Sequence, residues 1–199
     1  MTDFMYDYDD GLYFNLTNRC PCRCFFCIRS KVDSLGSADN LWLKHEPTVD
    51  EVIDAISAID IFKYKEIVFC GYGEPMERVD AIIDIADFIK ENYHMKIRIN
   101  TNGLGDLIHD RDTVDMIAGH VDAVSVSLNA PNNQRYMDIC KPSFGEAAYP
   151  AMLEFAEKAV KKIPDVTMSV VDIITPQEIE ECKKIAENIG AKFRVRNCY

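Results

Sequence analysis

KIRINTN, residues 96–102, alternates apolar Ile97 and Ile99 with polar Arg98, Asn100 and Asn102. Successive strand side chains point to opposite faces, so this run presents one apolar and one polar side. The same pattern recurs along the chain. In GLYFNLT (11–17), Leu12, Phe14 and Leu16 alternate with Tyr13, Asn15 and Thr17. In AVSVSLN (123–129), Val124, Val126 and Leu128 alternate with Ser125, Ser127 and Asn129. VTMSVVDI (166–173) sets Met168 and Val170 against Thr167 and Ser169, and KFRVRN (192–197) sets Phe193 and Val195 against Arg194 and Arg196. EIVFCG (66–71) is a further candidate strand.

Helical stretches separate these runs. TVDEVIDAISAID opens with Thr48 and Glu51, and TPQEIEECKKIAENIG with Thr175 and Glu178, both capping-box patterns. In the second, Pro176 stands at the first helical position and Gly190 marks the stop. ERVDAIIDIADFIKENY has helical apolar spacing, and EAAYPAMLEFAEKAVKKI carries Pro150 as a kink or late start. Repeated βα units with right-handed crossovers give an α/β fold with a parallel sheet. Parallel strands buried on both faces read as continuous apolar runs, and these do not. The expectation is therefore a curled sheet, a partial barrel with a polar cavity and its active end at the strands' carboxyl ends. An open sheet with one half-covered face is the competing arrangement.

NRCPCRCFFCIR (18–29) follows the first strand and holds four of the chain's eight cysteines. Three ligand sets compete. All four thiolates could hold zinc, although no second, distant CxxC is present. All four could hold an electron-transfer iron–sulfur cluster, although CxCxCxxC fits neither ferredoxin spacing. Cys20, Cys24 and Cys27, spaced CxxxCxxC with Cys22 as a bystander, would leave a four-iron cluster one iron without a protein ligand.

The 199 residues form one expected domain, 1–199, with a cysteine loop at about 19–31. The acidic MTDFMYDYDDG opening lacks signal-peptide character and no stretch is long enough to span a bilayer, so a cytoplasmic protein is expected. Free thiols suit that compartment. A net charge of −11 argues against a general nucleic-acid binder. Arg19, Arg23, Arg29 and Lys31 form a local basic collar, read either as solvated charge or as a dock for an acidic electron donor or anionic ligand. His45, His94, His109 and His120 make no ligand-spaced pair.

Cys20, Cys24, the aromatic Phe26 and Cys27 match CxxxCxΦC, the signature of the radical S-adenosylmethionine (SAM) superfamily, which the chain resembles along nearly its whole length. GYGEP (71–75) resembles that family's GGEP, with Tyr72 in place of a glycine, and NTNG (100–103) and SLNA (127–130) fall at the ends of later strands. The loop style is similar to that of small radical SAM proteins associated with TatD-type hydrolases. The resemblance implies a partial (β/α)6 barrel, a [4Fe-4S] cluster on Cys20, Cys24 and Cys27, and SAM on the open iron through its amino and carboxylate groups. It implies reductive cleavage of SAM to a 5′-deoxyadenosyl radical that abstracts hydrogen from a small-molecule or protein substrate. It also implies a reduced flavodoxin- or ferredoxin-type donor and anaerobic chemistry. By the same resemblance Phe26 lies near adenine, and Gly73 and Glu74 meet the SAM amino group. Asn102, Ser127 and Asn129 bind its ribose or carboxylate, with Asn100 in reserve.

Arg98, Arg194 and Arg196 share the polar face. Inward arginines need anions, such as Glu74, Asp172, the SAM carboxylate or, for Arg196, an anionic substrate group. Cys198 lies on the same face, and the polar loop SKVDSLGSADN (30–40) is a candidate lid. A non-catalytic iron–sulfur carrier or zinc adaptor is the alternative, and it would need Cys22 as the fourth ligand.

Overall fold

The computed structural model describes residues 3–31, 35–38 and 40–198. Seven strands form one sheet in chain order: β1 (Met5–Tyr8), β2 (Gly11–Phe14), β3 (Glu66–Phe69), β4 (Ile97–Thr101), β5 (Ala123–Ser127), β6 (Asp165–Val171) and β7 (Lys192–Arg196). β2 to β7 run parallel, and β1 lies antiparallel on β2. Six parallel strands joined through helices make the expected partial (β/α)6 barrel, with β1 and β7 as its open edges. Its concave face is crossed by long side chains. Arg98 Nη2 reaches Tyr13 Oη at 3.4 Å across β3, and Arg196 Nη2 reaches Ser127 Oγ at 3.4 Å across β6.

β1 is an addition to the sequence reading, which noted the acidic opening only as lacking signal-peptide character. Asp9, at φ 49°, and Asp10 form a two-residue hairpin turn between Tyr8 and its partner Gly11. Tyr6 and Met5 are buried despite the flanking aspartates.

The helices are α1 (Val49–Ser57), α2 (Val79–Tyr93), α3 (Gly105–His109), α4 (Thr113–Ile117), α5 (Asn133–Cys140), α6 (Ala148–Lys162) and α7 (Pro176–Ile189). Both capping boxes form, Thr48 with Glu51 and Thr175 with Glu178, and Gly190 ends α7 at φ 88°. Pro150 is the third residue of α6, where its missing N–H breaks no intrahelical bond, so it marks a start and not a kink. Ile67, Ile97, Ile99, Val124, Val126, Met168 and Val170 join Ile82, Ile85, Met152 and Phe155 in one core between sheet and helices. Each such side chain contributes about 1.5–3 kcal/mol on full burial.

The inner face is less uniformly polar than the alternation suggests. Val68 and Val171 interrupt it, both buried. Over β1 to β3 it is covered by the chain itself. Asn15 Nδ2 donates to Leu41 O at 2.6 Å, Asn18 Nδ2 to Leu43 O at 2.8 Å, and Tyr6, Leu41 and Tyr72 form a second small core. Asn15 is thus a structural residue, and the open part of the interior lies toward β4–β7. Among the described residues no helix is long and apolar enough to cross a membrane.

Candidate active site at the carboxyl ends of the strands

The cysteine loop leaves the carboxyl end of β2 and is held against the end of α5. Arg23 N donates to Cys140 O at 2.9 Å, Phe25 N to Ile139 O at 3.3 Å, and Ser143 N to Pro21 O at 2.8 Å. The four thiols separate by environment. Cys22 is 4% exposed and packs in the core, whereas Cys20, Cys24 and Cys27 are half-buried. A hydrogen bond from Cys140 brings Cys24 down to about 4, and one from Cys22 lowers Cys20. Cys22 and Cys140, as the donors in these contacts, are held well above the usual thiol range, and burial raises Cys27. Among the described residues no three cysteine, histidine or acidic side chains are gathered to hold one metal ion. A tetrahedral zinc site with sulfurs at about 2.3 Å is therefore not preformed. Partly exposed thiols along one loop suit a cluster, in which each thiolate would meet its own iron.

GYGEP follows β3 and lies against this loop. A Cβ at Gly73 would stand 2.2 Å from Thr17 O and 2.7 Å from Arg19 O, so only glycine allows this approach. Tyr72, in the place of the family's glycine, turns into the second core and meets the Trp42 ring at 5.2 Å. Glu74 departs from expectation. Its carboxylate accepts from Thr101 Oγ1 at 2.6 Å, Asn102 N at 2.7 Å and Met76 N at 3.1 Å. Burial pushes it up to about 7 against those three donors. Its side chain ties the ends of β3 and β4 together. Asn102 is also committed: Oδ1 accepts from Leu104 N at 2.9 Å, and Nδ2 faces Cys22 Sγ at 3.8 Å and Cys20 Sγ at 4.0 Å.

The ends of β5 to β7 are different. Asn129, at φ 58°, donates through Nδ2 to Cys140 Sγ at 3.7 Å, while its buried Oδ1 has no partner. Ser169 Oγ and Arg196 Nε are likewise buried and unpaired. Ser127 Oγ accepts from Arg196. Alternation put Ser169 on the polar face, but sequence reasoning gave it no role. Phe26 is partly buried against the core, its ring edge-on to Phe25 at 5.7 Å.

Other expectations need correction. Arg98 pairs with Glu66 at 2.6 Å, not with Glu74 or Asp172, and also donates to Asn100 Oδ1 at 2.5 Å. Asp172 Oδ1 instead accepts from Cys198 N at 2.6 Å. Arg194 is exposed. The basic collar is partly neutralised, since Arg19 pairs with Glu46 at 2.8 Å and Glu77 at 3.1 Å. Lys31 Nζ lies 3.6 Å from Cys198 Sγ, joining the cysteine loop to the end of β7. Of the candidate lid, residues 32–34 and 39 lie outside the described residues. Leu35 and Ala38 pack on the second core.

A parallel partial barrel with a thiol loop and a glycine cradle at its carboxyl end defines an enzyme class that binds a cofactor there. The radical SAM superfamily model matches residues 14–189, and the chain belongs to that superfamily, whose enzymes bind SAM and a [4Fe-4S] cluster. The "Probable GTP 3′,8-cyclase" of Methanocaldococcus jannaschii is 26% identical over 191 residues, covering 93% of this chain and 57% of the relative. That of Thermococcus kodakarensis is 29% identical over 184 residues, covering 90% and 54%. The chain thus spans about half the length of the curated relatives it matches. Streptococcus suis SuiB, solved bound to S-adenosylmethionine, shares the fold with a TM-score of 0.68 at 17% identity, covering 96% of this chain and 40% of that one.

Proposed function

We propose that Cys20, Cys24 and Cys27 hold the [4Fe-4S] cluster with one iron left open for SAM, and that Cys22 is not a ligand. The observation that carries this is the difference in exposure: Cys22 is buried, its thiol donating to its neighbours, while Cys20, Cys24 and Cys27 are partly exposed. The same difference speaks against a four-thiolate electron carrier or zinc adaptor. The chemistry the cofactors supply when bound is one-electron cleavage of SAM to a 5′-deoxyadenosyl radical that abstracts hydrogen from a substrate.

The chain's own residues bind and orient. Gly73 lets the GYGEP backbone approach the loop, so its carbonyls, and not the Glu74 carboxylate already holding three donors, accept from the SAM amino group. Asn129 Oδ1 is an unused acceptor suited to a ribose hydroxyl, with Ser127 two residues before it, and Phe26, beside Cys27 in the loop, borders adenine. Asn102 positions the Cys20 thiol. The electron comes from a reduced flavodoxin- or ferredoxin-type donor. The curated relatives' names give GTP as the substrate of a longer protein. For this chain a phosphate-bearing small molecule is one candidate, and a protein segment another. The tie to TatD-type hydrolases rests on the loop motif alone.

Anaerobic reconstitution with iron and sulfide, reduction by dithionite and electron paramagnetic resonance with and without SAM test this reading. A reduced four-iron signal that changes on adding SAM, with 5′-deoxyadenosine formed, is expected. A cluster indifferent to SAM would overturn it.

A further inference from the structure

At the carboxyl end of the interior, adjacent strands β6 and β7 each present a buried donor with no acceptor. Ser169 is 1% exposed and its Oγ has no partner. Among the described residues Arg196 Nε is buried and unpaired, and its guanidinium makes one weak hydrogen bond, Nη2 to Ser127 Oγ at 3.4 Å. The register sets Ser127 beside Ser169 and Val171 beside Arg196, so these groups lie on one patch of the concave face. Among the described residues no carboxylate forms an ion pair with Arg196. The amino end of the same interior is different, since Glu66 meets Arg98 at 2.6 Å there.

A buried hydrogen-bonding group without a partner costs about 1–3 kcal/mol. Two on one patch, beside a guanidinium without a counter-ion, call for an acceptor that arrives from outside. Arg196 Nε can only donate, the Ser169 hydroxyl can donate beside it and the local charge is positive, so an oxyanion is the group that fits. Asn129 Oδ1, an acceptor, cannot serve it and remains for a hydroxyl. The SAM carboxylate, whose expected partners include Ser127, is the competing oxyanion, and the spectroscopic response to SAM separates the two. Arg196 stands on the edge strand β7, within electrostatic reach of Cys24 and Cys70, and so faces the cysteine loop.

We propose that Arg196 and Ser169 form the seat for a carboxylate or phosphate of the substrate. The word "substrate" rests on the radical SAM reading, while the anion site does not. The test uses the full chain, with and without its cluster, titrated with inorganic phosphate and with acetate against sodium chloride at constant ionic strength. Thermal stability and calorimetric binding are the readouts. One of the two oxyanions is expected to bind and stabilise the wild type beyond chloride, and which one does so separates phosphate from carboxylate substrates. Arg196→Gln should weaken that binding about tenfold or more and Ser169→Ala several-fold. Lys192→Gln, on the same strand but paired with Asp165 at 3.0 Å, should leave it unchanged. If Arg196→Gln does not fold, Arg196→Lys and Ser169→Ala carry the test, and both should weaken binding.

Binding equal in wild type and variants means an adventitious ion only, and overturns the proposal, as does no binding of either oxyanion. In the cluster-loaded protein, the spectroscopic response to SAM should be the same in wild type and Arg196→Gln. Its loss in the variant alone would assign Arg196 to SAM and overturn the substrate seat. A wild-type cluster indifferent to SAM would overturn the radical SAM reading, with the oxyanion titrations still deciding whether the anion site exists.

Discussion

Cys22 and Cys24 are two positions apart, yet Cys22 is buried and Cys24 partly exposed. Cys22→Ala should therefore keep four irons per chain after reconstitution, whereas Cys24→Ala should lose the cluster. Iron and sulfide analysis with the visible spectrum checks both, and cluster loss in Cys22→Ala would restore the four-thiolate reading. Glu74 makes a second residue-scale case. Its folded-state value of about 7 lies above the ordinary 4.5 because burial outweighs its three donors. A carboxyl raised in this way favours the folded state while protonated. That contribution is present at pH below 4.5, is lost as pH rises through the window to 7, and stays lost above it. The loss is about 3 kcal/mol. Urea unfolding of the cluster-free chain on either side of that window should show the fall, and Glu74→Gln should flatten the difference from wild type. An unchanged slope in the variant would assign the pH dependence elsewhere.

At the scale of elements, the close fit of the GYGEP turn on the cysteine loop is the most exposed to substitution. A Cβ at Gly73 would meet backbone, Thr17 O and Arg19 O, which cannot rotate away as a side chain tip could. Gly73→Ala should cost about 1–3 kcal/mol through overpacking, and it should lower iron loading by displacing Arg19 and Cys20. Thermal unfolding and iron content measure the two effects, and full loading with unchanged stability would refute the fit. Much of this level was legible in the sequence. α1 and α7 announced themselves through Thr48 with Glu51 and Thr175 with Glu178, because a capping box is local chemistry. β1 was not legible, since four residues among aspartates bury Tyr6 and Met5 only by pairing with β2. α5 was missed as well: NQRYMDIC is mostly polar, and its sole clear signal was Asn132, which caps through Arg135 N. Yet its carbonyls at Ile139 and Cys140 hold the cysteine loop. The role of Glu74 was beyond reading for a similar reason, because two of its donors, on Thr101 and Asn102, belong to the end of β4.

Across the whole molecule, strand alternation gave one polar face, but that face does three different jobs. Over β1 to β3 it is filled by residues 40–43 and the tyrosine cluster. At the amino end it is neutralised, with Arg98 14% and Glu66 25% exposed at their side chains and joined by a two-pronged contact. At the carboxyl end it is left open, at Asn129, Ser169 and Arg196. Alternation alone could not separate these, because pairing depends on neighbours from other strands. The division predicts opposite responses to mutation. Glu66→Gln strands a largely buried guanidinium and should destabilise the chain by about 3 kcal/mol. Adding Arg98→Met removes the stranded charge and should recover most of that loss, since a buried pair replaced by neutral groups is often near neutral. The double variant should still load its cluster and respond to SAM, because the pair reaches toward the carboxyl end only through Asn100. Unfolding curves for wild type, the single variant and the double variant, with the SAM-dependent spectrum of each, decide the matter. If the double variant folds but no longer responds to SAM, the amino end of the interior belongs to the site, and the partition of the barrel drawn here is wrong.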